Sequence, residues 1–118
     1  VPITRLKCRS DFLRVAHRGR KWAAPGLVLQ SRQREKTEAR SRDGIRIGFT
    51  VTKKVGNAVI RNRARRRLKS AALDVMAKHG QDRTDYVLIG RAGTLKRPYA
   101  LLVGDLETAM QKLNAYRA

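Results

Sequence analysis

The spacing of hydrophobic residues changes from a strand period to a helix period in the middle of the chain. Apolar and polar residues alternate from Ile45 to Val51, as in a half-buried strand. Gly56 permits an unusual backbone angle and Asn57 suits a helix N-cap, so a turn is predicted next. A helix is then predicted from Ala58 to about His79, with Gly80 as its stop, because apolar residues recur at helical spacing, at Ile60, Ala64, Leu68, Ala71 and Val75.

The residues before this unit predict a helix and a strand. A short helix is expected from Asp11 to about Arg18, with Ser10 as its N-cap and Gly19 as its end. The Pro25-Gly26 turn precedes a strand that opens at Leu27 and becomes polar by Arg32. Residues 33–43 are polar and read as a long loop, so this strand is predicted to pair with the next one as an antiparallel hairpin.

The residues after the central helix predict one more strand and one more helix. The apolar run Tyr86–Ile89 fits a strand covered on both faces and parallel to the strand before the central helix. A last helix is expected from Pro98 to Leu113. Whether a further strand forms near Trp22 remains an open question. The predicted fold is a single α+β domain over residues 1–118, a two-layer mixed sheet packed with about three helices in the order α-β-β-(β)-α-β-α.

The charge of the chain indicates what it binds. Its 118 residues include 28 Lys plus Arg and 9 Asp plus Glu, which gives a formal charge of +19. No acidic residue occurs between Asp43 and Asp74, although a solvated helix face normally mixes acids with bases. Like charges packed this densely repel one another, and a polyanion relieves that repulsion. Nucleic-acid binding by the central helix is therefore predicted, with Arg61, Asn62 and Arg63 fanning out from its buried stripe.

The sequence contains no set of residues that would form a catalytic site in the protein. The histidines are His17 and His79, and the second fits a helix C-terminus, where it meets the helix dipole. Cys8 has no partner for a disulfide within the chain, and the scattered carboxylates suggest no metal site. Without a membrane-length apolar stretch or a signal-peptide core, the chain is expected to be soluble and cytoplasmic.

The order KKVGNAVIRNRARRRLK, preceded by IRIGFTVT, closely resembles the signature of the bacterial ribonuclease P protein subunit. Weaker similarity extends to SDFLRVAHRG and DYVLIGRAG, so the resemblance covers nearly the whole chain. It implies a small subunit, one copy per catalytic RNA, that aids removal of the 5′ leader from precursor tRNA. The RNA subunit would hold Mg²⁺ and perform the hydrolysis. The resemblance also implies a left-handed crossover between the parallel strands, where general rules favour the right-handed form.

The resemblance assigns two sets of site residues. The set expected to contact the RNA subunit comprises Lys53, Lys54, Asn57, Arg61, Asn62, Arg63, Arg65, Arg66, Arg67 and Lys69. The set expected to line a cleft for the leader of precursor tRNA comprises Phe12, Val15, Ala16, Gln30, Thr50 and Thr52. Ala16 and Gln30 stand where many members of the family have aromatic residues, which puts base stacking at those points in doubt. From the residues alone, Phe12 fits core packing and an open groove equally.

Three other interpretations remain open. A ribosomal or other structural RNA-binding protein would have the same composition, and the residue order around Arg61-Asn62-Arg63 is what separates it. A DNA-binding domain could use the central helix for recognition, but about 33 Å is long for such a helix, and no short partner helix precedes it. A protein enzyme acting on nucleic acid lacks the catalytic residues that it would need.

Overall fold

A computed structural model describes residues 2–35 and 43–118. In this part of the chain there are five strands, four α-helices and one 3-10 turn, the 3-10 turn being Lys53–Val55. The strands are β1 (Ile3–Arg5), β2 (Arg20–Ala23), β3 (Leu27–Gln33), β4 (Ile45–Thr50) and β5 (Thr84–Gly90). The helices are α1 (Arg9–Arg18), α2 (Ala58–His79), α3 (Gly93–Lys96) and α4 (Tyr99–Lys112).

The strands form one mixed sheet in the order β1-β4-β5-β3-β2. β4 and β5 pair in parallel, with Ile47 opposite Tyr86, and α2 connects them as predicted. β2 pairs antiparallel with β3, so the further strand near Trp22 is present. The predicted α+β class is confirmed, with the short helix α3 added to the three helices expected. The left-handed sense of the crossover stays a prediction.

The predicted hairpin between β3 and β4 is wrong, because β5 lies between these two strands. β3 pairs antiparallel with β5, with Leu29 opposite Leu88. Nearly every residue of β5 is buried, and such an apolar strand is most stable in the middle of a sheet, where both edges and both faces are covered. Gln33 belongs to β3 rather than to the predicted loop, and residues 36–42 of that loop lie outside the described residues.

The main core lies between one face of the sheet and helices α2 and α4. Leu29 and Leu88 from the sheet, Leu68 from α2, and Leu102 and Leu106 from α4 are all fully buried. The buried stripe of α2 matches the predicted one, except that Ile60 is only half-buried and that Ala72 and Met76 are added. Full burial of these apolar side chains contributes roughly 1.5 to 3 kcal/mol each, so this face fixes the position of α2.

The boundaries of α2 agree with the sequence. The Asn57 side chain accepts a hydrogen bond from the Ile60 amide at 3.0 Å, which caps the helix. Gly56, just before the cap, has a φ of 156°, and a Cβ there would lie 2.8 Å from the Ile60 side chain. Glycine is therefore required at this turn for both conformation and space. Gly80 ends the helix, where its amide bonds to the Met76 carbonyl.

Helix α1 packs on the opposite face of the sheet over a smaller core. Val15 from α1, Leu6 and Val87 are buried together there, with Phe12 packed against them. The predicted N-cap is wrong: α1 begins at Arg9, so Ser10 lies within the first turn, and Cys8 takes the cap position, where its side chain does not cap the helix. The predicted end at Gly19 is confirmed, and a Cβ there would lie 2.4 Å from the Ser31 carbonyl oxygen.

Tyr86 is the largest fully buried side chain among the described residues. Its hydroxyl group makes the stability of the fold depend on pH. Its hydroxyl donates to the Ala115 carbonyl at 2.6 Å and accepts from the Gln81 amide at 3.0 Å. Burial raises the pKa of this hydroxyl from 10.0 to about 12. The folded state therefore holds the proton more tightly than the unfolded state. The resulting stabilisation, on the order of 2 kcal/mol, is complete below about pH 10 and is lost as the pH rises through about 12.

We expect Tyr86→Phe to lose about 1 kcal/mol of unfolding free energy near neutral pH, because the Ala115 carbonyl loses its donor. Between about pH 9 and pH 11.5 the variant should lose less stability than the wild type, since the titrating group is gone. Urea unfolding at several pH values measures both effects. Burial and the hydrogen bond to Asp74 raise the pKa of Tyr99 to about 12 as well, but at 37% exposure solvent screens its contribution to stability. Tyr99→Phe is therefore the comparison, and it should change the pH profile less than Tyr86→Phe does. Parallel pH profiles for the wild type and Tyr86→Phe would contradict the assignment.

Candidate nucleic-acid interface

The solvent-facing side of α2 and the 3-10 turn before it form a continuous basic surface. Because apolar packing fixes the buried stripe of the helix, the polar residues between its members are turned outward. Seven of the ten residues predicted to contact the RNA subunit are exposed, and the six besides Asn57 are Lys53, Lys54, Asn62, Arg63, Arg66 and Lys69. These six residues are called the α2 basic face below.

Two of the predicted arginines, Arg61 and Arg67, are half-buried and bound to carbonyl groups of the protein itself. The Arg61 Nη1 donates to the Gly56 carbonyl at 2.9 Å, which ties it to the turn before the helix. The Arg67 Nη1 donates to the Thr94 carbonyl at 2.5 Å and to the Leu95 carbonyl at 3.1 Å, so it anchors α3. Sequence periodicity gave no sign of these contacts, because the carbonyl groups come from other segments. Arg61 and Arg67 therefore have structural roles besides any contact with RNA.

Two further predicted residues are oriented by hydrogen bonds. The Arg65 Nη1 donates to the Asn62 Oδ1 at 3.1 Å, which holds the guanidinium group and the carboxamide side by side. Asn57 is exposed, but its side-chain oxygen caps α2. Asn57 thus stabilises the start of the helix that presents the α2 basic face, and its side chain has less freedom to bind a partner.

Three of the acidic residues, Asp11, Asp85 and Asp105, are buried and paired with arginines. Asp85 is 1% exposed and accepts from the Arg34 Nη1 at 2.6 Å and from the Arg46 Nη2 at 2.7 Å. Asp11 is 3% exposed and lies 3.4 Å from Arg46, and Asp105 is 8% exposed and lies 2.8 Å from Arg97. Because these three carboxylates pair with the buried Arg34 and the half-buried Arg46 and Arg97, they do not neutralise the α2 basic face.

A cleft lies on the other face of the sheet, beside α1. The strand register places Val28, Ile89 and Thr50 in one row across β3, β5 and β4, and places Gln30 in the next row. All four residues are half-buried, although they lie in the middle of the sheet. The Phe12 ring from α1 lies over Gly48 in that second row, where a Cβ would come within 2.5 Å of two ring carbons. The open-face cleft is defined by Phe12, Val28, Gln30, Thr50 and Ile89.

The structure brings together only part of the predicted leader cleft. Phe12, Gln30 and Thr50 share the open-face cleft, whereas Val15 is 1% exposed and packs beneath it. Val15 therefore supports α1 and offers no surface to a ligand. Ala16 is exposed on α1, and Thr52 is exposed at the N-cap of the 3-10 turn, beyond the end of β4. Contact of any of these residues with RNA stays a prediction.

Sequence reasoning missed Val28 and Ile89 as parts of this cleft, and Gly48 as the residue on which the Phe12 ring lies. Alternation along each strand shows which residues share a face, but the rows depend on which strands are neighbours. With β3 and β4 expected to pair directly, Ile89 on β5 had no place between them. Gly48 carried a usable signal, because a glycine within a strand often marks a point where another group approaches closely.

The described residues show no metal centre and no membrane-spanning helix. Among residues 2–35 and 43–118, no group of three His, Cys, Asp or Glu side chains is arranged to hold a metal ion. None of the helices in these ranges is both long and apolar enough to cross a bilayer. His79 accepts or donates a hydrogen bond at the Arg117 carbonyl, 2.9 Å away, and stacks on Tyr116 with ring centroids 4.4 Å apart. His79 thus fastens the C-terminal residues to the end of α2.

A single α+β domain that presents an exposed basic helix has the features of a nucleic-acid-binding protein. Comparison with known proteins identifies the family. The sequence model of the family Ribonuclease P matches residues 3–114. The chain belongs to this family, whose curated relatives are ribonuclease P protein components. The family assignment removes the reason to prefer a ribosomal protein or a DNA-binding domain.

Two relatives and two solved structures show the extent of the similarity. The chain is 54% identical to the ribonuclease P protein component of Paramagnetospirillum magneticum over 113 residues, which cover 96% of this chain and 84% of the relative. It is 55% identical to that of Gluconacetobacter diazotrophicus over 108 residues, which cover 92% and 89%. The RNase P protein of Staphylococcus aureus superposes with a TM-score of 0.77 at 25% identity, covering 96% and 97% of the two chains. The RNase P protein of Thermotoga maritima, at 22% identity, shares the fold with a TM-score of 0.71 and coverage of 92% and 94%.

Proposed function

We propose that this chain is the RNA-binding accessory subunit of ribonuclease P and that it contacts two RNAs with opposite faces. The α2 basic face binds the catalytic RNA, and the open-face cleft binds the single-stranded 5′ leader of precursor tRNA. One protein copy binds one RNA. Mg²⁺, held mainly by the RNA subunit, supports the hydrolysis that releases the leader, and the protein supplies no catalytic residue.

The observation that carries this proposal is the placement of the two surfaces on either side of one sheet. Helix α2 packs on one face and α1 on the other. The strand end at Thr50, in the cleft, runs directly into Lys53 and Lys54 of the α2 basic face. A leader lying in the cleft would therefore leave it at a cationic edge that the RNA subunit also occupies. One protein molecule can therefore bind the enzyme RNA and the substrate RNA at the same time.

Reconstitution tests the division of labour. The protein alone should not cleave precursor tRNA, whereas with the RNA subunit it should support cleavage at Mg²⁺ concentrations where the RNA alone is slow, because the positive protein offsets phosphate repulsion. The rate of leader release is measured with each component alone and with both. Cleavage by the protein after nuclease treatment would refute the proposal, as would a protein that leaves the rate of the RNA unchanged.

The cleft predicts a preference for precursor over mature tRNA that depends on the leader. Phe12→Ala should reduce this preference by roughly 1 to 3 kcal/mol, since a base stacked on the ring loses its platform, while affinity for mature tRNA stays the same. Equilibrium binding of the reconstituted complex to both tRNAs measures the difference.

Leu13→Ala is the matched control for this measurement. Leu13 is the neighbour of Phe12 on α1 and is 44% exposed, but it does not belong to the open-face cleft. It should leave the preference for precursor unchanged. Because Phe12 also packs on the small core under α1, thermal unfolding of both variants is compared. An equal loss of affinity for both tRNAs would mean that Phe12 only packs in the core and does not bind the leader.

A further inference from the structure

A groove with a volume of about 440 Å³ lies between the outer edge of the sheet and α2. Sites for small ligands have volumes of roughly 300 to 1,000 Å³, so the groove is large enough for one compact group. Its apolar lining comes from β1, β4 and α2, through Ile3, Ile47, Phe49 and Leu73. This feature, the β1–α2 groove, is on the opposite face of the sheet from the open-face cleft.

Cations surround the apolar lining of the β1–α2 groove. Arg5 comes from β1, and Arg65, Arg66 and Lys69 come from α2, while none of the described residues that line the groove is acidic. Asp74, the nearest acidic residue along α2, accepts a hydrogen bond from the Tyr99 hydroxyl at 2.6 Å and does not line the groove. The groove therefore attracts anions at its rim and apolar groups at its floor.

The rim also presents groups that can bond to the edge of a flat, polar ring. Strand β1 pairs only with β4, where the Pro2 carbonyl accepts from Ile45 and the Leu6 amide donates to Ile47. Because backbone groups alternate in direction along a strand, those of Ile3 and Arg5 point away from β4. Asn62, held beside Arg65, adds a side-chain amide that still has donors to offer.

We propose that the β1–α2 groove binds one unpaired nucleobase of the ribonuclease P RNA, with the flanking phosphates on Arg5, Arg66 and Lys69. This inference rests on the proposed function and deepens it, because Asn62, Arg66 and Lys69 belong to the α2 basic face. Unpaired bases of RNA are recognised by apolar or aromatic contacts to the ring together with hydrogen bonds to its edge. An acidic peptide would satisfy the cations, but its carboxylates would leave the apolar floor around Phe49 uncovered.

Nucleotide probes test the base and the phosphate separately. The protein, labelled with nitrogen-15, is titrated with the four nucleoside 5′-monophosphates, with ribose 5-phosphate and with a tetraglutamate peptide. At least one nucleotide should shift the amide signals of Ile3, Ile47 and Phe49 at concentrations at least tenfold below those that ribose 5-phosphate or the peptide requires. Equal shifts from ribose 5-phosphate would reduce the groove to a phosphate site, and tighter binding of the peptide would favour a protein partner. Either result overturns the proposal.

Filling the groove tests the same proposal with the RNA subunit. Leu73 lines the groove and is 52% exposed, whereas Leu101 lies on α4 outside it and is 50% exposed. We expect Leu73→Trp to weaken binding of the RNA subunit at least tenfold and Leu101→Trp to change it less than twofold. The two variants match in residue type, exposure and charge, so the difference reports occupancy of the groove.

The outcomes separate this inference from the proposed function. If both tryptophan variants bind the RNA subunit as tightly as the wild type does, the groove is empty in the complex and the inference fails, while RNA binding by the α2 basic face stands. If the wild type does not bind the RNA subunit, the proposed function itself fails. Should Leu73→Trp not fold, judged by its circular dichroism, the nucleotide titration of the wild type decides.

Discussion

Replacing Arg63 and Arg66 together with alanine should weaken binding of the ribonuclease P RNA by at least a hundredfold. Both side chains are exposed on α2, and neither is among the arginines that anchor other segments. Hydrogen bonds to charged groups contribute about 1.5 to 3 kcal/mol each, so losing one from each arginine costs about 3 kcal/mol or more. The slope of log affinity against log salt should also decrease by about 2 in magnitude, since two phosphate contacts are lost.

The control for this prediction removes the same charge elsewhere. Lys78→Ala combined with Lys112→Ala takes two exposed cations from the ends of α2 and α4, outside the α2 basic face. This pair should weaken binding only a few-fold, through the long-range field. Filter binding or fluorescence titration at several salt concentrations measures both pairs. Equal losses would mean that net charge alone, rather than this helix face, holds the RNA.

Arg61 is less suitable for such a test than its place in the sequence signature suggests. Its guanidinium group donates to the Gly56 carbonyl, at the turn where Asn57 caps the helix. Arg61→Ala would therefore disturb the start of α2 as well as any RNA contact. A loss of affinity in that variant could not be assigned to one cause. Substitutions of Arg63 and Arg66 change only the exposed surface, so a loss of affinity there measures the RNA contact.

Helix α2 could be predicted from the sequence because its determinants are local. Asn57 and Gly80 mark its two ends, and the apolar period between them needs no other part of the chain. The parallel pairing of β4 with β5 also followed, because a strand, a helix and a buried strand in succession favour that unit. Local chemistry therefore accounted for the part of the fold that presents the basic surface.

Sheet order could not be predicted in the same way. β1 has three residues, too few to show a period, and it pairs with β4 some forty positions along the chain. The insertion of β5 between β3 and β4 depends on which pairing buries the most apolar surface over the whole domain, and the sequence shows this only indirectly. The open-face cleft and the β1–α2 groove both depend on this order, so neither could be drawn completely from the sequence.

Whether an individual site residue is buried or exposed depends on residues that are distant in the sequence. Phe12 could be either a core residue or a cleft residue, and the structure shows it half-buried with its ring over Gly48. Val15 lies three positions further on α1 and is buried. Periodicity placed both residues on one side of the helix. Which of them remains in contact with solvent depends on the residues that α1 packs against, Leu6 and Val87 around Val15 and Gly48 under Phe12.

Asp85→Asn should have the largest effect on stability, about 3 to 5 kcal/mol of unfolding free energy. Asp85 is 1% exposed and binds two arginines, Arg34 through its Oδ1 and Arg46 through both oxygens. Replacing the carboxylate with a neutral amide leaves the buried Arg34 and the half-buried Arg46 with less compensation, and such uncompensated charges cost more than the ion pair contributes when intact. Urea unfolding, followed by circular dichroism, measures the change.

Asp43→Asn provides the comparison for a carboxylate at the surface. The Asp43 side chain is 78% exposed and lies 3.8 Å from Arg83, so removing its charge should cost less than about 1 kcal/mol. If the two aspartate variants have similar stability, the buried network contributes no more than a surface pair, and the prediction is wrong.

The same network connects stability to the open-face cleft. Arg46 binds Asp85 on the sheet and lies 3.4 Å from Asp11 on α1, so it fastens the helix that carries Phe12 to the sheet. In Asp85→Asn, amide hydrogen exchange should therefore increase more in α1 than in α2, whose packing uses the other face. Under conditions where the variant remains folded, its preference for precursor tRNA should fall while its affinity for the RNA subunit changes less than threefold. Parallel losses of both affinities, with uniform exchange, would show that the network supports the whole domain and not the position of α1.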